Sequence, residues 1–190
     1  MRGLQTGALL AATLSTGLMA GLFAAFAYGV MPGLARSSDR TLIETMQTIN
    51  MAILNPVFIL PFLGSIPLLG LSVYLARQGH GRLALSWLVA ALVLYVVAFL
   101  VTLGASAPLN LQLANAGAPD DIKDLAAVRA DFETKWVVWN IVRALLHTAA
   151  FACLLWALVV YGGQRSQETG GLDAPDRPTS VHPSVEGTRT

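Results

Sequence analysis

Charge is scarce in this chain. Twelve Lys and Arg and eleven Asp and Glu make up only 12% of the 190 residues, and the formal net charge is +1. Soluble domains average about 25% charged residues, so this composition is not that of an ordinary soluble domain. The near balance of signs excludes a basic nucleic-acid surface and an acidic solvating block. There is one cysteine, Cys153, so no intramolecular disulfide can form and the redox compartment is not readable. Cys153 sits in a long apolar stretch, where it reads as a small core residue rather than a reactive thiol. No P-loop, dinucleotide fingerprint or H-E-x-x-H motif occurs. Nor does any ion-filter motif or evident internal transporter repeat.

What is present is apolar. Hydrophobic residues make up 55% of the chain and the mean hydropathy is +0.61. Four stretches are long enough to cross about 30 Å of hydrocarbon, which takes roughly 20 residues. They run from about Leu4 to Val30, Gln47 to Ala76, Leu83 to Leu103 and Trp136 to Tyr161. Backbone polar groups must be paired inside lipid, so these spans are expected as helices. The predicted fold is all-α, a bundle of four transmembrane helices over residues 1–163. A disordered tail is expected over 164–190, which is rich in Ser, Thr, Pro and Gly and poor in large apolar residues. His182 falls in that tail and reads as solvated.

Arg2, the apolar run and Ala25-Phe26-Ala27 also fit a secretory signal with an A-x-A site. The run is long for that role, and small residues stud it every four positions. A retained first helix is therefore expected. Gly17, Gly21, Ala25 and Gly29 form one ridge, and Gly3, Gly7, Ala11 and Ser15 form another. Such ridges let membrane helices approach closely and offer a contact for a second copy, hence a homo-oligomer. Pro56, Pro61 and Pro67 predict a kinked second span, an adjustment of shape within the bundle.

The connection from Gly104 to Lys135 is the longest. Ala105 to Gln112 reads as loop. From Asp121 onward, Ile122, Leu125, Val128 and Phe132 form an apolar stripe, with Asp121 and Asp124 as capping residues. This predicts an extramembrane helical extension running into the fourth span.

Arg143 and His147 lie inside that fourth span. An ionisable group at bilayer depth costs roughly 2.5–3.5 kcal/mol on insertion scales, so it marks a candidate functional site. Trp136, Asn140, Arg143 and His147 follow i, i+4, i+7, i+11 spacing and share one helix face. Four crossings place both termini on one side. At the other end they gather Gln47, Asn50, Asn55, Asn110, Gln112, Asn140, Arg143 and His147. No acid lies within the spans, which leaves Glu44, Asp131 and Glu133 as partners for Arg143. The alternatives for Arg143 are an anion or enolate anchor, or a cation snorkelling to the interface. His147 suits a general base, a satisfied core histidine, or a single axial haem ligand. Asn110, Gln47 and Asn50 suit substrate donors or interhelical glue. Trp136 and Trp139 suit interface anchors or stacking groups for a substrate. The arginine-flanked loop Arg77 to Arg82 points to cytoplasmic N- and C-termini, and hence to an integral protein of the plasma membrane.

Val30-Met31-Pro32, Met46-Gln47-Thr48-Ile49-Asn50, Ala107-Pro108-Leu109-Asn110 and Trp136…Trp139-Asn140-Ile141-Val142-Arg143 occur in that order. Together they resemble the anthrone oxygenase-like family of small four-helix membrane proteins, over roughly residues 5–162. Ala107 stands where valine is frequent. The resemblance implies oxidation of a lipophilic phenolic or quinone-like substrate with dioxygen, without a tightly bound cofactor. Taken with the polar cluster, it makes His147, Arg143 and Asn140 the expected catalytic residues, with His147 taking a proton beside a carbonyl and Arg143 and Asn140 stabilising the enolate oxygen. Asn110, Gln47, Asn50, Trp139 and Trp136 would then bind the substrate. The cofactor is otherwise unknown. Two further readings are a haem- or lipophilic-ligand-binding protein with His147 as ligand, and a non-catalytic membrane subunit.

Overall fold

A computed structural model describes residues 2–79 and 81–170. Helix α1 spans Arg2–Ala25, passes through a π-helical turn at Phe26–Val30 and ends in the short turn Met31–Leu34. α2 is Asp39–Ala52 and α3 is Pro56–Arg77. A 3₁₀ turn, Arg82–Ala84, leads into α4, Leu85–Val101. α4 then passes through a second π-helical turn, Thr102–Ser106, and continues as Ala107–Asn115. α5 is one continuous helix, Leu125–Gly170. Among the described residues there is no strand.

Four of these segments are long and apolar enough to cross a membrane: Gly3–Leu34, Pro56–Arg77, Arg82–Asn115 and Leu125–Gln164. Large apolar side chains on their outer faces stay exposed, among them Leu14, Val57, Val93 and Leu145. In water that surface would be costly, and in lipid it is the solvent-matched face. The protein is an integral membrane protein.

Prolines shape the boundaries. The expected second span does not run unbroken from Gln47. It breaks at Asn55, whose backbone is extended (φ −117°, ψ 163°) and whose side chain accepts from the Val57 and Phe58 amides. Pro56 then opens α3, where a missing N–H costs nothing. Gln47 and Asn50 therefore belong to a separate helix, α2, which Ser38 caps through the Thr41 amide. Pro61 and Pro67 lie inside α3.

The stretch from Ala105 to Gln112, read from sequence as loop, is helical. Pro108 lacks the N–H that would close an α-helical turn, and in an α-helix its ring crowds the carbonyl four residues earlier. The chain meets this by widening one turn just before the proline. Pro32 is preceded by a widened turn in the same way. The Met31 amide bonds the Phe26 carbonyl and the Ala107 amide bonds the Thr102 carbonyl, both five residues back. Widened turns of this kind occur frequently at functional sites, and here both lie at the same end of the bundle.

The extension before the fourth crossing is present. Its cap is Asp124, which accepts from the Ala127 amide at 3.0 Å, rather than Asp121. Ile122, Leu125 and Val128 pack with buried Phe132 and Trp136 against Leu42, Ile43 and Met46 of α2. α5 continues to Gly170, into the segment read as tail. The remainder of that segment, with His182, lies outside the described residues, as does His80.

Two cores result. One fills the bundle between α1, α3, α4 and α5, with Leu9, Leu69, Leu88, Tyr95 and Leu154 at its centre. The second lies at the polar end beneath α2. Arg129 secures that end. Its guanidinium donates to Glu133 at 2.6 Å, to Asp39 and the Ser37 carbonyl at 2.9 Å, and to the Ala35 carbonyl at 3.0 Å. These bonds fasten the α1–α2 turn to α5. Arg40 donates to Asp120 at 2.7 Å, and this holds the Asp120 carboxyl below the usual carboxylate range. Gln47 Nε2 donates to the carbonyls of Leu113 and Gly117, at 2.9 and 3.0 Å, which joins α2 to the end of α4.

Candidate functional site

A cavity of about 760 Å³ lies where the two cores meet. Phe23 and Phe26 of α1, Gln47 and Asn50 of α2, and Phe58 and Phe62 of α3 line it. α4 contributes Asn110 from the turn after its π-helical segment, and α5 contributes Trp136, Asn140 and Arg143. Small-molecule pockets are of this size and character, mostly apolar with a few convergent polar groups.

Arg143 is 5% exposed. Its side chain points back along the helix, as long helical side chains do. The guanidinium carbon sits 4.5 Å from the centre of the Phe23 ring and 5.6 Å from that of Trp136. One nitrogen donates to Asn140 Oδ1 at 3.2 Å, and Nε has no partner. Of the acids expected to neutralise it, Glu133 pairs with Arg129 and Asp131 with Lys135, and Glu44 is exposed on α2. None of the ion pairs among the described residues includes Arg143. Cation–π contact with two aromatic faces partly offsets the lost hydration. The charge is buried at the cavity wall and does not snorkel to the interface.

Asn140 is 1% exposed and donates from Nδ2 to the Phe23 carbonyl at 3.1 Å. One amide thus holds α1 and orients the guanidinium together. Trp136 donates from Nε1 to Asn110 Oδ1 at 2.8 Å and packs 5.7 Å from Phe26. Its indole is buried as a cavity wall, not a membrane-belt anchor. Asn50 Nδ2 is buried without a partner.

A family model described as anthrone oxygenase matches residues 55–153, just over half of the chain. The chain belongs to the anthrone oxygenase family. No curated protein and no solved structure matches it. The stretch matched to the anthrone oxygenase family carries Asn110, Trp136, Asn140, Arg143 and His147. Phe23, Gln47 and Asn50 lie outside it and complete the same cavity.

The structure brings six of the sequence-predicted residues to this cavity: Gln47, Asn50, Asn110, Trp136, Asn140 and Arg143. Trp139 is not among the lining residues and is 39% exposed, the position of an interface anchor. Asn55 is an exposed cap and Gln112 an exposed residue away from the cavity.

His147 is completely buried and does not line the cavity. Its Nδ1 donates to the Arg143 carbonyl at 2.8 Å. A carbonyl can only accept, so Nδ1 carries the proton, and in a neutral ring Nε2 holds the lone pair. Nε2 has no partner. The ring is enclosed by Phe23 and Tyr95, both with centroids at 4.9 Å. That enclosure leaves no slot for a porphyrin, so the residues around His147 do not fit a haem. Among the described residues no group of three His, Cys, Asp or Glu is arranged to hold a metal ion.

Sequence reasoning missed the walls. Phe23 and Phe26 were hidden inside a glycine-rich helix, although two aromatics among small residues are a signal of a pocket or a packing step. Tyr95, whose hydroxyl donates to the Phe62 carbonyl at 2.9 Å, is the other omission. A phenol tip in hydrocarbon must find an acceptor.

Proposed function

We propose that this protein oxidises a flat, lipophilic phenolic or quinone-like substrate with dioxygen inside the cavity. One observation carries the reading: a buried guanidinium without an acid partner at the wall of an otherwise apolar pocket. Membership of the anthrone oxygenase family supports the reaction class.

In this mechanism the substrate carbonyl oxygen rests against Arg143, which Asn140 holds in place. A water molecule takes a proton from the carbon conjugated with that carbonyl, since no Asp, Glu, Lys or His lines the cavity, and leaves an enolate. The developing oxyanion is stabilised most strongly in a dry site by donors that are already oriented. The enolate passes an electron to dioxygen, the radical pair joins as a peroxide anion at the same carbon, and that anion takes back the proton lost in the first step to give the hydroperoxide. Loss of water then leaves a second carbonyl. A CH₂ group and dioxygen have become a C=O group and water. The enolate is itself the reductant, so the scheme needs no redox cofactor.

Asn140 and Arg143 are the catalytic residues of this scheme. Asn50 and Asn110 present amide groups to a second substrate oxygen, and Trp136 with Phe26 forms a wall for the rings. Gln47 builds the cavity by joining α2 to α4. His147 acts as a positioning residue, holding the Arg143 turn through its carbonyl. The substrate enters from the lipid, in a plasma membrane with both termini cytoplasmic.

The test is oxygen uptake on anthrone by the protein in lipid nanodiscs, with empty discs as control. Uptake with formation of anthraquinone is expected, and Arg143→Ala abolishes it. Unchanged uptake in both Arg143→Ala and Asn140→Ala would sink the mechanism. A reporter fused to the C-terminus tests sidedness, since external activity contradicts cytoplasmic termini.

A further inference from the structure

The charge inventory of the cavity is one-sided. Its lining includes Arg143 and no Asp, Glu, Lys or His. Arg143 is buried, and its Nε is left without a partner. Arginine stays protonated in proteins. A buried charge without a counterion is costly, and an anion entering the cavity removes that cost. The planar guanidinium fork suits the oxygens of a carboxylate, phenolate or enolate. Asn140 fixes the fork from one side, and Asn50 Nδ2 is a second unsatisfied donor among the lining residues.

The mouth is apolar. Met51, Leu54, Leu63, Leu103 and Leu111 line the cavity and are also exposed on the outer surface. They belong to the end of α2, the α2–α3 junction, the first half of α3, and the π-helical and following turns of α4. In a bilayer this rim meets lipid, so an amphiphile dissolved there reaches Arg143 without crossing water.

We propose that the cavity is a binding site for flat, lipophilic organic anions, taken from the lipid phase with one carboxylate, phenolate or enolate oxygen on Arg143. This rests on the reading above and deepens it by naming the charge class of ligand that the cavity holds best, the state the substrate reaches once its proton is lost. Binding is measurable without turnover.

The probes are anthracene carboxylate and anthracene methanol, which share a ring system and differ by one charge. Their affinities are measured by ligand fluorescence in nanodiscs of phosphatidylcholine, with empty discs to subtract partition. The carboxylate is expected to bind about tenfold or more tightly. Arg143→Gln removes the preference and Arg143→Lys keeps part of it, with thermal unfolding to confirm that each variant is folded. Equal affinities, a preference that survives Arg143→Gln, or no saturable binding of either probe would overturn the proposal. Displacement of the carboxylate by phosphatidylglycerol added to the discs would assign the site to a lipid headgroup and also overturn it. Anion preference without oxygen uptake on anthrone removes the oxidation and leaves this inference standing. Uptake without anion preference does the reverse.

Discussion

The indole Nε1 of Trp136 donates to Oδ1 of Asn110 at 2.8 Å, across 26 residues of chain. The bond joins α5 to the turn of α4 that follows Pro108, and both partners line the cavity. Asn110→Leu keeps the size and removes the acceptor, leaving an indole N–H orphaned. A loss of about 1–3 kcal/mol is expected, the penalty for a buried unsatisfied donor. Thermal unfolding in detergent measures it. A variant as stable as the parent would show that Trp136 finds another acceptor and that the two residues do not define the wall.

Arg143 predicts a separation of stability from activity. The guanidinium is buried without a counterion, and replacing a buried ionic group with an apolar one of similar volume is often neutral or stabilising. Arg143→Met should therefore unfold within about 1 kcal/mol of the parent, or above it. Its oxygen uptake on anthrone should fall by about 10²–10³, the usual effect of losing one oxyanion donor. If Arg143→Met instead unfolds well below the parent, the guanidinium is a structural tie and not a ligand anchor.

His147 predicts a split between its own conservative and apolar replacements. Its Nδ1–H bonds the Arg143 carbonyl at 2.8 Å, a contact that an asparagine amide can make and a leucine cannot. A positioning role predicts that His147→Asn retains most of the uptake while His147→Leu loses it. A base role predicts that both lose it, with the loss of one limb of the pH–rate profile. The enclosure of the ring by Phe23 and Tyr95 further predicts no Soret band, oxidised or reduced, in purified protein. A Soret band that disappears in His147→Asn would reverse that packing argument.

The spans were legible because hydrocarbon solvent leaves so few solutions: long apolar runs must be helices. Arg143 and Asn140 were legible for the same reason, since polar groups stand out against that background. The π-helical turns were not. Pro108 with Asn110 and Gln112 reads as a loop when a proline is taken only as a stop. Whether the chain stops or widens is decided by what it packs against afterwards, here Leu113 beneath α2. The depth of His147 was equally invisible. Spacing places it on the face of Arg143, yet one further turn carries it beyond the cavity into the core. Helical phase gives direction but not where a void ends.

The small-residue ridge of α1 divides in the structure. A Cβ on Gly17 would come 2.8 Å from the Phe151 ring of α5, whereas a Cβ on Gly21 or Gly29 would meet nothing within 4 Å. One end of the ridge thus serves the bundle and the other is open. Gly17→Val must push Phe151 or part α1 from α5, at about 1–3 kcal/mol as overpacking usually costs. Gly21→Val adds its methyls to open space and leaves the unfolding of a monomer unchanged. The pair therefore tests whether a second copy uses the open face. If the protein is a homo-oligomer through α1, Gly21→Val lowers its mass in light scattering while Gly17→Val lowers its unfolding temperature. If Gly21→Val changes neither mass nor cross-linking between copies, the open ridge faces lipid, and any assembly of this chain forms elsewhere.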